Sequence, residues 1–154
     1  IAKENRVQML AIPERDCGKT LQDKISTIKK IRKILDQNNP SNILHILGCG
    51  NPISITLFSM AGANMFDSVD WSRWTINNNT LQFTDLNHLD LLDCNCKICS
   101  LPKIDPTLRT LLHNLMFYQN YLQEFRISIL ENTLTDFLSK YLDRKTISKI
   151  VNYF

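Results

Sequence analysis

Three short apolar runs separated by two helix-patterned stretches fill the chain up to Val69, and this alternation restricts the fold more than any other feature. The first run, RVQMLAI (Arg6 to Ile12), is closed by Pro13 and is too short for a useful helix, so it reads as a buried strand. Gly18-Lys19 breaks the pattern. Thr20 with Asp23 three residues on is a variant of the capping box that opens a helix. Leu21, Ile25, Ile28, Ile31, Ile34 and Leu35 then recur mostly at spacings of three and four, with Lys24, Lys29, Lys30 and Lys33 on the other face. Asn38-Asn-Pro-Ser41 is a turn, and Ile43 to Leu47 is a second strand. Gly48-Cys-Gly-Asn-Pro52 leads into a second helix, with Asn51 as cap, Pro52 at the first helical position and Gly62 just past the end. Asn64 to Val69 is a third strand. Strands and helices alternating at these lengths form parallel βαβ units, so the predicted class is α/β.

The remainder has a different texture. From Asp70 to Asp93 the pattern is irregular, with Asn77-Asn78-Asn79 as a turn, and such stretches often carry function. Asp105-Pro106 starts a long helix in which Leu108, Leu111, Leu112, Leu115, Tyr118, Leu122, Phe125 and Ile129 keep helical period. Two shorter helices are predicted, Leu134 to Leu142 and Lys145 to Tyr153. The expected organisation is a βαβαβ segment over 1–75, a metal-binding subdomain with the long helix over 76–130, and C-terminal helices over 131–154. With 154 residues and 44% apolar content the chain can bury one modest core. A formal charge of +3 is compatible with nucleic acid without requiring it. No apolar run approaches the ~20 residues that cross a bilayer, and IAKENRVQML lacks the plan of a signal peptide, so a cytoplasmic protein without membrane contact is expected.

Cysteine usage points to chemistry. Cys94, Cys96 and Cys99 fall within six positions, while Cys17 and Cys49 stand apart. In a reducing compartment such a cluster binds metal or acts in redox chemistry more often than it forms disulfides, and five cysteines cannot all pair. Zinc needs four ligands, so a fourth must come from Cys17, Cys49, His45, His88 or His113. His113 is best placed, because a knuckle can fold back on the long helix beside it. Three cysteines and a histidine leave no open position for water, which makes the metal structural. Free thiols in a loop are the alternative. Asp67 stands toward the C-terminal end of the third strand, where α/β folds place reactive groups, although a cap or turn former reads the same way. Trp71 and Trp74 flanking Arg73 can stack on and neutralise a nucleic-acid strand, or fill a minor core.

GCGNPISITLFSMAGANMFDSV, then DCNCKIC, then LLHNLMFYQNYLQEFRISI together resemble the C-terminal half of the tRNA-guanine transglycosylase superfamily. That family has a Gly-x-Gly-x-Pro loop, a helix, a Phe-Asp-Cys/Ser segment, and a Cys-x-Cys-x-x-Cys zinc knuckle completed by the histidine of a His-Asn pair. The upstream LAIPE looks like its Leu-Ala-Val-Gly-Glu segment, so the likeness covers roughly residues 6 to 130. It implies the C-terminal portion of a (β/α)₈ TIM barrel with a zinc-binding insertion and C-terminal helices. It also implies exchange of a guanine in nucleic acid for a 7-deazaguanine through a covalent aspartyl-sugar intermediate. By position Asp67 matches the nucleophile, and Cys94, Cys96, Cys99 and His113 match the ligands of a structural zinc. Leu10, Ala11 and Glu14, the glycines Gly48 and Gly50, and Arg73 match substrate-binding positions. The implied partners are tRNA or DNA, the 7-deazaguanine base and further protein chains in a homo- or hetero-oligomer.

Departures from the family pattern carry their own implications. Gln8 and Met9 stand where the family has paired glycines, placing side chains where backbone normally approaches the base. SLPKIDPTLRTLL between knuckle and histidine is shorter than in the tRNA enzymes, and Asp-Trp-Ser replaces Leu-Pro-Thr before the arginine, which suits a DNA-modifying relative at least as well. A complete barrel needs ~250 residues. This chain, which begins with Ile1, supplies about three strands and no counterpart of the family's second catalytic aspartate, so it is expected not to turn over alone. The alternative is a non-catalytic, zinc-stabilised paralogue that binds a partner subunit or nucleic acid. Asp67 favours the enzyme, and Gln8-Met9 favours the binding module.

Overall fold

The computed structural model describes residues 8–86, 89 and 93–154, which fall into two compact units. One runs to Ser68 and takes in Tyr153 and Phe154; the other is Val69–Asn152.

The first unit is a three-stranded parallel sheet, β1 (Met9–Pro13), β2 (Ile43–Leu47) and β3 (Met65–Phe66), in that spatial order. Helix α1 (Leu21–Asn38) makes the first crossover and α2 (Pro52–Met60) the second. The register runs from Met9↔Ile43 to Pro13↔Leu47, and His45↔Met65 and Ile46↔Phe66 on the other side. Period-two alternation puts Leu44 and Ile46 on the face covered by helices, where both are fully buried; each contributes roughly 1.5–3 kcal/mol. The capping box is present: the Asp23 amide donates to Thr20 Oγ1 and the Thr20 amide to Asp23 Oδ2, both at 3.1 Å. Ile25, Ile28 and Leu35 form the buried stripe of α1, whereas Ile34, predicted on that stripe, is exposed. Asn51 caps α2 by accepting from the Ser54 amide, and Pro52 begins the helix.

Arg32 ties the crossovers together. From α1 its guanidinium donates to the Asn42 carbonyl at 2.7 Å and to Asn64 Oδ1 at 3.2 Å, and Asn64 Oδ1 also accepts the Leu44 amide at 2.9 Å. One side chain thereby fixes the entries to β2 and β3. Gly62 permits this, since a Cβ there would lie 2.4 Å from Arg32 Cγ and its φ is +106°. The third strand is shorter than the predicted Asn64 to Val69, because the Asp67 side chain turns to the Gly48 amide and ends the ladder.

The second unit contains structure in the stretch that looked irregular. A four-residue helix α3 (Asp70–Arg73) leads into an antiparallel hairpin of β4 (Trp74–Ile76) and β5 (Phe83–Asp85). The Asn77 carboxamide oxygen accepts the Asn79 and Thr80 amides, and Leu81 takes a left-handed conformation to close the loop. Three-residue strands are too short to show alternation, which is why the sequence displays only the asparagine turn. Helix α4 (Pro106–Leu130) starts at the Asp105 cap as predicted. Its buried face is different, however: Thr110, His113, Asn114, Phe117, Tyr121, Phe125 and Ser128 are inward, while Leu108, Leu115 and Ile129 are about half exposed. Polar residues with specific partners occupy the inner face, and hydrophobic period alone does not register them. Phe117, Tyr121 and Phe125 of α4 pack ring against ring with Phe137 of α5 (Leu134–Ser139) and Tyr141 just beyond it, mostly in tilted and edge-on pairs, with α6 (Arg144–Val151) following.

Gly62→Ala should therefore destabilise the first unit by about 1–3 kcal/mol through the strained φ and the displaced Arg32. A lowered denaturation midpoint with unchanged m-value is the expected result. An unchanged midpoint would show that the Arg32 tie is dispensable.

Candidate metal centre and the carboxylate at the sheet edge

The knuckle is folded by its own backbone. The Cys99 amide points at Cys96 Sγ at 3.4 Å, the Ser100 amide donates to the Cys96 carbonyl at 3.1 Å, and the Leu101 amide to the Ile98 carbonyl at 3.1 Å. These tight turns aim three thiols the same way. His113, 1% exposed on α4, supplies the fourth donor. Its Nε2 lies 2.9 Å from the Ile76 carbonyl, which can only accept, so Nε2 carries the proton and the Nδ1 lone pair is available. Nδ1 faces Cys94, Cys96 and Cys99 Sγ at 3.6, 3.6 and 3.3 Å.

This donor set fits zinc. Bond lengths of ~2.3 Å to sulfur and ~2.0–2.1 Å to nitrogen in a tetrahedron put each sulfur about 3.6 Å from the nitrogen. The four donor atoms lie within 4.8 Å of one another. Burial pushes the Cys94 and Cys99 thiols up and lowers the His113 imidazole, with the Ile76 bond opposing it. At Cys96 burial opposes the thiolate, but the Cys99 and Ile98 amides and the neighbouring thiols outweigh it and hold the group below the ordinary thiol value. Three thiolates at this spacing need a cation to compensate them, which a divalent metal provides. Asn78 supports the set by donating from Nδ2 to Cys94 Sγ at 3.5 Å.

The other proposed fourth ligands are elsewhere. Cys17 is buried with its thiol on the Pro13 carbonyl, Cys49 is buried in the loop after β2, and His45 lies on β2. His88 lies outside the described residues.

At the C-terminal end of the parallel sheet, Asp67 follows β3 with its side chain 56% exposed. Oδ1 accepts the Gly48 amide at 2.7 Å, and Oδ2 is 3.7 Å from His45 Nε2. Gly48 has a φ of +74° and nothing within 4 Å of where a Cβ would stand, so the loop passes the carboxylate with open space beside it. Gly50 is buried in the same loop. By register Ala11, His45 and Met65 form one row across the three strands, on the face opposite Leu44 and Ile46. Sequence reasoning assigned His45 only as a possible metal ligand; the signal for its position is ILHIL, where it alternates against two buried residues. Leu10 is half-buried and Ala11 exposed on β1, while Glu14 pairs with Lys24 at 2.9 Å in the turn that follows.

Trp71, Arg73 and Trp74 are exposed on α3 and its exit, which removes the minor-core reading of the tryptophans. Asn114, which the sequence marks only as the partner in a His-Asn pair, donates from Nδ2 to the Trp71 and Trp74 carbonyls at 2.7 and 2.6 Å and accepts the Ile76 amide at 3.0 Å.

The sequence model of the family described as "Queuine tRNA-ribosyltransferase" matches residues 3–146. The chain belongs to that family. It is 27% identical over 131 residues to the tRNA-guanine(15) transglycosylase of Methanococcus aeolicus, covering 75% of this chain and 20% of that protein. It is 33% identical over 72 residues to the enzyme of the same description from Methanococcus vannielii, covering 43% of this chain and 11% of that protein. The chain thus spans a fifth or less of the length of these transglycosylases. No helix among the described residues is long and apolar enough to cross a membrane.

His113→Ala removes the nitrogen donor and the bond to Ile76 together, and Asn78→Asp turns the Cys94 donor into a repelling acceptor. The wild-type chain should hold one zinc; the first variant should lose it, and the second should bind it ~10–100-fold more weakly in competition with a chromogenic chelator. Unchanged zinc affinity in His113→Ala would move the fourth ligand elsewhere.

Proposed function

We propose that this chain is the C-terminal portion of a base-exchanging guanine transglycosylase acting on tRNA, with Asp67 as its nucleophile and a structural zinc held by Cys94, Cys96, Cys99 and His113. The observation that carries this reading is the exposed carboxylate at the end of a parallel strand, anchored through one oxygen by the Gly48 amide. One anchored oxygen fixes direction, while the other, 3.7 Å from His45 Nε2, is the one that attacks. Asp67 displaces guanine from the anomeric carbon of the ribose, forming a glycosyl ester as the base leaves with the bond electrons. The departing guanine takes up a proton on the nitrogen it frees. An incoming 7-deazaguanine gives up the equivalent proton as its ring nitrogen attacks the same carbon and expels the carboxylate, so two substitutions restore the enzyme with no net change in protons. The amide bond stabilises the carboxylate each time it is released. A zinc held by Cys94, Cys96, Cys99 and His113 would take no part in the exchange and would tie the knuckle to α4 within the second unit.

Barrel membership is supported by the partly exposed second face of the sheet. Parallel sheets are buried on both faces, yet Met9, Ile43 and Met65, on the face that carries His45, are 47%, 36% and 42% exposed. Further strands of a (β/α)₈ barrel would enclose this face and bring a second carboxylate, without which the chain alone does not turn over. Leu10, Ala11, Gly48 and Gly50 would then border the base, and Arg73 with Trp71 and Trp74 the polynucleotide. tRNA is preferred to DNA because the relatives are described as tRNA-guanine(15) transglycosylases. The binding-module reading is favoured by one contact, the Glu14–Lys24 pair, which occupies a carboxylate assigned to base recognition.

The test offers the full-length protein labelled guanine with tRNA and with DNA. Exchange into tRNA, abolished by Asp67→Asn, is the expected result. Exchange into DNA alone would reassign the polymer, and undiminished exchange by Asp67→Asn would remove Asp67 as nucleophile. Binding of tRNA without any exchange would leave the binding module.

A further inference from the structure

We infer that Asn114 is a positioning residue that couples metal occupancy of the Cys94, Cys96, Cys99 and His113 cluster to the geometry of the Trp71–Trp74 turn. The inference rests on the metal reading above and adds a consequence for the surface that carries Arg73.

The turn draws little stability from its own helix. Helix α3 is four residues long, with no side-chain cap on its first turn, and a single helical turn is far below the length that is stable in isolation. Its internal support includes the Trp74 amide on the Asp70 carbonyl and the Ser72 amide and hydroxyl on the Val69 carbonyl. Asn114 adds the hold from outside. All of its side-chain hydrogen-bonding groups are engaged: both Nδ2 protons by the Trp71 and Trp74 carbonyls, and Oδ1 by the Ile76 amide. At 1% exposure it has no water to compete for these bonds.

Its neighbour in sequence completes the connection. His113 Nε2 takes the Ile76 carbonyl, so the two polar backbone groups of one buried residue are gripped by consecutive side chains of α4. One helical turn earlier, the Thr110 hydroxyl is shared between the Pro106 carbonyl of its own helix at 3.1 Å and the Leu86 carbonyl at 3.3 Å, which also accepts from Thr75 Oγ1 at 3.0 Å. This face of α4 therefore carries the knuckle, the hairpin and the turn at once. A metal bound to His113 Nδ1 fixes the imidazole, the imidazole fixes Ile76 against α4, and Asn114 transmits that register to the carbonyls of Trp71 and Trp74. Loss of the metal frees the ring and leaves the turn to its own weak support.

The chain has two tryptophans, and both lie in this turn, so intrinsic fluorescence reports on it directly. Zinc is titrated into the metal-free, reduced 154-residue chain while bound zinc is measured independently by chelator competition. In the wild type, tryptophan emission and its quenching by acrylamide should change and saturate at one zinc per chain. Asn114→Asp keeps an acceptor for the Ile76 amide and loses both donors to the tryptophan carbonyls. It should bind zinc within about threefold of wild type while the emission no longer responds. Wild-type emission that stays flat through zinc saturation would overturn the coupling and leave the metal site standing, as would an Asn114→Asp response equal to wild type. Absence of zinc binding in the wild type would overturn both. Trp71→Phe and Trp74→Phe, which leave Asn114 untouched, test the coupling even if Asn114→Asp does not fold. At least one should show the zinc response, and two flat titrations would refute it.

Discussion

The hydrogen bond between His113 Nε2 and the Ile76 carbonyl decides what the second unit can be. By fixing the tautomer it directs the Nδ1 lone pair to three sulfurs, and without it the same imidazole could present a proton to them instead. The bond is available because Ile76, the last residue of β4, lies beside α4 with its carbonyl toward His113. Asn114 completes the pairing from the amide side. A hairpin too small to be stable alone is therefore held by side chains of a long helix, and the helix is held by ring packing against α5.

A comparable economy organises the first unit. Leu44 and Ile46 anchor β2 against the helices, Arg32 fixes where β2 and β3 begin, and the strand ends where Asp67 meets the Gly48 amide. The candidate nucleophile is thus positioned by the element that stops its own strand. His45, beneath it on the same face, places a polar ring 3.7 Å from the other carboxylate oxygen. Such an arrangement leaves the carboxylate exposed while restricting its orientation, which a nucleophile requires and a buried structural acid does not.

Much of this was readable from local chemistry. Thr20 with Asp23, Asn51 with Pro52 and Asp105 with Pro106 announce three helix starts, because a cap is a contact between near neighbours. The cysteine spacing announces a ligand set for the same reason, and His113 is within reach of it on the following helix. Long-range pairing was less legible. The hairpin of Trp74–Ile76 with Phe83–Asp85 has strands too short for alternation, and the inward face of α4 is polar at Thr110, His113 and Asn114, so the leucine stripe marks residues that are partly exposed. His45 and Asn114 owe their importance to atoms distant in sequence, Asp67 Oδ2 and the Trp71 and Trp74 carbonyls, and no local pattern records such partners.

The assignment of covalent chemistry to Asp67 is the centre of this account, and trapping the intermediate tests it most directly. The full-length protein incubated with tRNA in the absence of an incoming base should accumulate a protein–RNA adduct. After nuclease and protease digestion, mass spectrometry should find the sugar-phosphate remnant on the peptide containing Asp67. A remnant on a different carboxylate, or base exchange proceeding with that peptide unmodified throughout, would contradict it.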